Sequence, residues 1–402
     1  MHPSLTEQRQ SALARLTEMG FPDRKHAAWK YTPLSSLLGK PFSATDPLSA
    51  ATQTLVLEKS TSDYRLVFVD GFFISTLSTI APLPPGVQIG SLATFLQQSP
   101  TLVSEQKINP IQRDSNSFID LNTAFLQDGA YIDVAENIQL SAPIELVFIA
   151  TCDLGFIPIR NRIQLGPSSQ AVVVEKYLSL TEKPLCTFTN VVTECTLENQ
   201  SQLEHYKLIR DTLTSFHLGH LCVNQQAGSQ CAAYSLALQG QFIRSDVTIA
   251  LQQTGARCRL QGLYLPKNKQ HVSHHTVIAH QDADTHSQQL YKGVLADNAT
   301  AAFQGKIIVE PHAAKSRAQQ LNKNLLLSAQ AEVNTQPQLE IFTDDIQCSH
   351  GASVGQLDEK ALFYLQSRGL SECKARETLI NAFLGDILQT IPLVKQPILK
   401  KN

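Results

Sequence analysis

A polar turn leading into an alternating apolar run recurs through the second half of the chain, and no other feature restricts the fold as much. It is present in Gly166-Pro167-Ser168-Ser169-Gln170-Ala171, Glu198-Asn199-Gln200-Ser201-Gln202-Leu203, Ala227-Gly228-Ser229-Gln230-Cys231, Thr254-Gly255-Ala256-Arg257-Cys258 and Asp297-Asn298-Ala299-Thr300-Ala301. Aligned on the first residue of each run, the starts fall at 171, 203, 231, 258 and 301. The intervals are 32, 28, 27 and 43 residues, the last requiring an insertion or an unrecognised rung. Repetition at such periods points to stacked units, none of which can bury its apolar face alone. A β-sandwich competes, but its usual turn spacing accounts for short strands and not for the longer recurrence. The reading is a mainly β chain built around a β-solenoid.

The flanks read differently. Leu13, Leu16 and Met19 lie on one side of an N-terminal helix that stops at Gly20-Phe21-Pro22, since proline cannot continue it. Arg24–Leu34 then gathers cations around the single tryptophan, Trp29, as a docking loop or as a cap on the core. Residues 41–140 are mixed, with a strand at Tyr64–Val69 and a helical patch around Leu92, Phe95 and Leu96. The C-terminus returns to helix. Residues 379, 380, 383, 384, 387 and 388 form one apolar stripe, preceded by a helical run at 358–365 and a break at Gly369. The predicted regions are therefore an N-terminal helical and mixed region over 1–140, a solenoid over 141–350 and a helical region over 351–402.

With 43% hydrophobic residues in 402, the chain can bury a large core. A net charge of −2 supplies no general field for a phosphate backbone or an anionic membrane, so neither is an expected partner. No stretch approaches the ~20 apolar residues that span a bilayer, and the first residues lack the apolar core of an export signal. A soluble cytoplasmic protein is expected. The eight cysteines are spread without Cys-x-x-Cys pairs and read as reduced thiols, the first six as buried apolar side chains.

Phosphate-binding loops, dinucleotide fingerprints and hydrolase elbows are all absent from the sequence, so no ATP site and no enzyme active site is expected. His271, His274, His275, His280 and His286 form the densest titratable cluster, a metal store in one reading. In a strand they would alternate faces and fail to converge, which favours surface histidines. Asp282, Asp284, Asp344 and Asp345 supply the carboxylates for a rival reading, a stand-alone solenoid enzyme acting on carbohydrate; adjacent aspartates are more simply turn residues. Cys348 and His350 differ, because residues i and i+2 of an extended segment point the same way. They read equally as a packed thiol beside a hydrogen-bonded imidazole and as two metal ligands that need further donors from elsewhere.

Several runs carry a resemblance. These are Ser287–Leu295, Asn322–Leu327, Val333–Ile341, Asp344-Asp345-Ile346-Gln347-Cys348-Ser349-His350-Gly351 and Leu362–Leu370, spread over about a hundred residues, with Gly20-Phe21-Pro22 and Trp29–Leu34 near the N-terminus. Together they resemble the SufB/SufD family of iron–sulfur cluster assembly scaffolds, and the Cys-Ser-His-Gly form resembles its SufD branch. The resemblance implies a right-handed parallel β-helix between an N-terminal region and C-terminal helices. It implies a non-catalytic scaffold that pairs with SufB through the β-helix and docks the SufC ATPase on its C-terminal helices, with a homodimer as the alternative when SufB is absent. Phe363, Leu379, Ile380, Phe383, Leu384 and Ile387 are then the partner-binding candidates. His350, and more weakly Cys348, would ligate a transient iron–sulfur cluster shared with SufB, in a system also associated with iron delivery and with a reduced flavin for which the sequence offers no site. Gln347 stands where many relatives carry lysine, so no electrostatic role is transferred to it.

Overall fold

Strands separated by turns this short would form hairpins if they paired with their sequence neighbours; here each pairs instead with the strand one coil away. The computed structural model describes residues 5–46, 57, 62–98, 116–179 and 184–391. From Gly155–Leu165 to Ile346–Gln356, successive strands alternate between two sheets of ten and eleven strands, and pairing within each sheet is parallel. In the eleven-stranded sheet the register partners Gln170, Gln202, Gln230, Arg257, His286 and Arg317 lie 32, 28, 27, 29 and 31 residues apart. The expected starts at 171, 203, 231 and 258 are direct neighbours in this ladder. The 43-residue interval is a missed rung and not an insertion: Ser287 pairs with Cys258, whereas Ala301 belongs to the opposite sheet. Its lead-in, Asp282-Ala283-Asp284-Thr285, lacks the glycine or glutamine that marked the earlier turns.

Turn geometry explains the polar lead-ins. The turns into six successive strands of this sheet each hold one residue with left-handed backbone: Ser168 (φ 56°), Gln200 (60°), Gly228 (65°), Gly255 (73°), Asp284 (54°) and Lys315 (60°). For a non-glycine residue that conformation costs about 1–2 kcal/mol. The same residue donates its N–H to the adjoining coil, as in Gln200 to the Ala227 carbonyl, Gly228 to Thr254 and Lys315 to Asp345. A donor that would otherwise be lost at a corner is thereby satisfied. The following hydroxyl, Ser169, Ser201, Ser229 or Thr285, donates to the carbonyl three residues earlier at 2.7–3.0 Å.

Isoleucine, leucine and valine from both sheets fill the interior, interrupted by satisfied polar groups such as Glu175, which accepts from Thr193 Oγ1 at 2.7 Å and Tyr177 Oη at 2.7 Å. Interior glycines make room for large rings. A Cβ on Gly262 would lie 2.1 Å from the Tyr291 ring and one on Gly293 2.2 Å from the Tyr264 ring.

The solenoid is longer than the predicted 141–350. Tyr64–Val69 pairs in parallel with Ile144–Ile149, Ala130–Val134 joins the other sheet, and the last strand runs to Gln356. The N-terminal helix Leu5–Met19 and the Trp29 segment lie over the outer face of the ten-stranded sheet, where Phe156, Phe188, Phe216 and Phe242 stack in register. Trp29 is a cap: it is buried on this column, with the Arg244 guanidinium 3.7 Å from its ring centroid and donating to the Ala28 carbonyl at 2.9 Å.

At the other end, Glu359–Ser367 is followed by Gly369 (φ 92°) and the long helix Glu372–Thr390. This corrects the partner assignment of the apolar stripe. Leu384 and Ile387 are buried on the outer face of the chain's own eleven-stranded sheet, against Tyr206, Leu236, Leu263 and Leu325, with Ile380 and Phe383 packed at the margin. Lys292 fixes the helix by bonding the Phe383 carbonyl and the Asp386 carboxylate. Leu379 is half-buried, and of the six candidates only Phe363 is widely exposed, at 72%.

Because the Tyr291 ring has no free volume to enter, Gly262→Ala should cost about 1–3 kcal/mol. A denaturant titration of the variant checks this, and an unchanged midpoint would contradict so tight an interior.

Candidate functional site

The last coil is where parallel stacking runs out. The strand Ile346–Gln356 pairs with Ser316–Leu326, and among the described residues no further strand follows it in the sheet. Cys348 stands in register with Ala318 and His350 with Gln320, both of which are buried. The two site residues therefore share the inner side of the sheet at the solenoid's open end, as the i, i+2 spacing predicts.

Their surroundings separate them. Cys348 is half-buried and packs on Ile307, Val309, Ala313 and Ala318, together with Leu339 and Ile346. Burial pushes its thiol pKa up, which reduces the thiolate available to a metal. His350, two residues on, is exposed. Around this end Ile341, Phe342 and Val354 are 41%, 59% and 48% exposed, an apolar rim beside an unpaired strand edge. Spacing and periodicity alone do not reveal this rim. Its signal was present in Ile341-Phe342, which carries the apolar run past the end of a strand into a turn.

Among the described residues no three His, Cys, Asp or Glu side chains come together as a metal site. Cys348 and His350 thus supply part of a ligand set at most. The histidine cluster does split by face as expected, but apart from His286 its members are not surface groups. His274 lies between the Tyr264 and Tyr291 rings, His280 bonds Thr285 and Ser287 at 2.8 Å each, and His271 stacks on Phe242 beneath the N-terminal cap. His275 is half-buried and His286 meets Asp284 at 3.3 Å. The surface reading failed because His274 and His280 face the solenoid interior, while on the outer face residues more than two hundred positions away cover His271. Of the first six cysteines, 195, 222, 231 and 258 are buried as expected, while Cys152 and Cys186 are half-buried. Asp282 and Asp284 are turn residues, Asp282 accepting from the Ala283 N–H at 2.7 Å, and Asp344 and Asp345 precede the last strand. Nothing in that arrangement favours carbohydrate chemistry.

Two family models account for nearly the whole chain: the SufBD core domain of the SUF system for FeS cluster assembly matches residues 148–383, and the SufBD N-terminal region matches residues 1–146. The chain belongs to the SufBD family. An iron–sulfur cluster assembly SufBD family protein of Synechocystis is 32% identical over 97% of this chain and 88% of its own length. The iron–sulfur cluster assembly protein SufD of Escherichia coli is 29% identical over 96% of this chain and 88% of its own. SufD of Bacillus subtilis is 25% identical over 77% and 71%. No helix among the described residues of this SufBD protein is long and apolar enough to cross a membrane.

The buried imidazoles also bear on stability. Burial lowers the pKa values of His220, His271, His275 and His280 to about 4 each. Between about 4 and the unfolded value near 6.5 the unfolded chain binds more protons, so stability is complete above that window and lost as pH falls through it. Thermal midpoints should drop steeply from pH 6.5 to 4. Replacing His280 by Gln should flatten the dependence by up to about 1.4 kcal/mol per pH unit, and an equal slope in the variant would remove His280 from the effect.

Proposed function

We propose that this chain is a non-catalytic scaffold subunit of the SufD kind in cytoplasmic iron–sulfur cluster assembly. The open end of the solenoid carries the proposal. A free strand edge, the exposed apolar side chains Ile341, Phe342 and Val354, and an exposed imidazole at His350 lie together there. Unpaired edges invite a further strand, and an apolar rim of this kind suits burial against another protein.

The partner proposed for this end is SufB, with a second copy of this chain taking its place when SufB is absent. The nascent cluster is the cargo. His350 faces it as one nitrogen donor, and the remaining donors come from SufB, because the described residues of this chain bring no three such side chains together. A mixed set containing one imidazole is easier to dismantle than an all-thiolate set, since a proton competes with iron for the nitrogen. Such lability fits a scaffold that must hand its cluster on. Cys348 acts mainly by packing beneath the histidine. SufC, the ATPase, docks on the two C-terminal helices through Phe363 and the neighbouring Tyr364, which is 56% exposed, while Leu384 and Ile387 hold the long helix against the solenoid. Motion of SufC on ATP binding would then act on the open end through the short connection from Gln356 to Asp358. Iron delivery and reduced flavin are assigned to the complex rather than to any group of this chain.

Co-expressed chain should purify with both SufB and SufC, and Phe363→Ala should release SufC while SufB stays bound. Folded full-length chain that retains neither would sink the scaffold reading. In the complex, His350→Ala should lower retained iron roughly tenfold while Cys348→Ala changes it little. Equal iron in His350→Ala and wild type would take the imidazole out of the ligand set.

A further inference from the structure

On the outer face of the eleven-stranded sheet a shallow trough of about 760 Å³ crosses the parallel strands, from Gln170 to Gln347 and Ser349 of the last strand. Three exposed arginines line it on nearby rungs. Arg257 and Arg259 share one strand, His286 is in register with Arg257 on the next, and Arg317 is in register with His286 on the one after. At about 4.8 Å per rung, the column from Arg257 to Arg317 spans roughly 10 Å. Six glutamines continue the lining in both directions.

The balance of donors and acceptors is one-sided. Glu204 is the one carboxylate in the lining, and it accepts from the Tyr206 hydroxyl at 2.7 Å. His286 leans on Asp284 outside the trough. Among the described residues no carboxylate pairs with Arg257, Arg259 or Arg317, although buried Arg160 and Arg244 on the opposite sheet each have one. Unopposed guanidinium groups repel one another unless an anion lies between them. Each presents a planar fork that matches two phosphoryl oxygens.

We propose that this trough binds a small molecule carrying two or more linked phosphoryl groups, held between Arg257, Arg259 and Arg317, with the glutamine amides taking the polar remainder. The cationic stretch of roughly 10 Å matches a diphosphate or triphosphate. It is short for a nucleic-acid strand, whose sites cover ~4–16 nucleotides, and the chain's net charge of −2 gives no wider field to hold one. The volume falls within the range of about 300–1,000 Å³ usual for small-ligand sites. One end of the trough lies on the outer face of the strand whose inner face carries His350, and the proposed binding does not use that imidazole.

Calorimetric titration of the full chain with pyrophosphate, ADP and adenosine tests it, with Arg257→Gln/Arg317→Gln as the variant and Lys269→Gln, an exposed turn lysine outside the trough, as the charge control. Pyrophosphate and ADP should bind saturably and adenosine should not. The double variant should weaken binding by about tenfold or more with an unchanged melting midpoint, and raising the salt should weaken it further. Lys269→Gln should bind as wild type does. Absence of saturable binding up to about 10 mM would overturn the proposal, as would affinity unchanged in the double variant. A glutamate-rich peptide that binds more tightly than pyrophosphate and displaces it would also overturn it, and would make the trough a protein-docking surface.

Discussion

Parallel in-register pairing between successive coils is the constraint on which everything else in this molecule depends. It places each residue directly above its counterpart 26–32 residues earlier, so a side chain is chosen against its own column as much as against its neighbours in sequence. Phenylalanines stack on phenylalanines under the N-terminal cap, and Cys231 stands on Cys258 inside. The corners need left-handed residues whose N–H groups reach the next coil, and those corners are what recur in the sequence. A ladder of this kind has no internal reason to stop. Its ends must be covered or paired, and the two ends of this solenoid differ in that respect.

At the N-terminal end antiparallel strands close the sheets: Phe72–Phe73 and Thr79–Ile80 pair back on Tyr64–Val69, and Val87–Ser91 pairs on Ala130–Val134. Helix Leu5–Met19 and the Trp29 segment cover the adjacent outer face. The C-terminal helix covers the outer face of the eleven-stranded sheet, yet among the described residues nothing pairs with the edge of its last strand. That asymmetry gives physical content to the proposal that one end of the solenoid is reserved for another chain.

The sequence disclosed what is local and concealed what depends on distant cover. Recurrence at 171, 203, 231 and 258 announced the solenoid because its turns use Gly, Ser, Gln and Asn in similar order. The rung at Ser287 escaped because Asp284 meets the same backbone requirement with a different residue, and Ala301 imitated a rung from the other sheet. The stripe at 379–388 was legible as an amphipathic helix, but periodicity does not say which surface receives it. Tyr206, Leu236 and Leu263 receive Leu384 and Ile387, and these are spread over three strands of the solenoid. His271 and His274 looked like surface groups for the same reason: what buries them lies on other coils or at the N-terminus.

For the candidate site, spacing fixed the direction of Cys348 and His350 but could not rank them. Stacking ranks them. Cys348 lies over Ala318, a small residue against which a thiol fits, next to the apolar Ile307 and Val309. His350 lies over Gln320, whose amide donates to Gln289 Oε1 at 3.3 Å within the polar part of the interior. One more coil would bury that imidazole as His274 is buried five strands earlier, between aromatic rings and with its pKa lowered to about 3. Ending the ladder at this strand instead leaves the imidazole at the mouth of the solenoid. The feature that makes His350 available as a ligand is therefore the same one that leaves the strand edge in need of a partner.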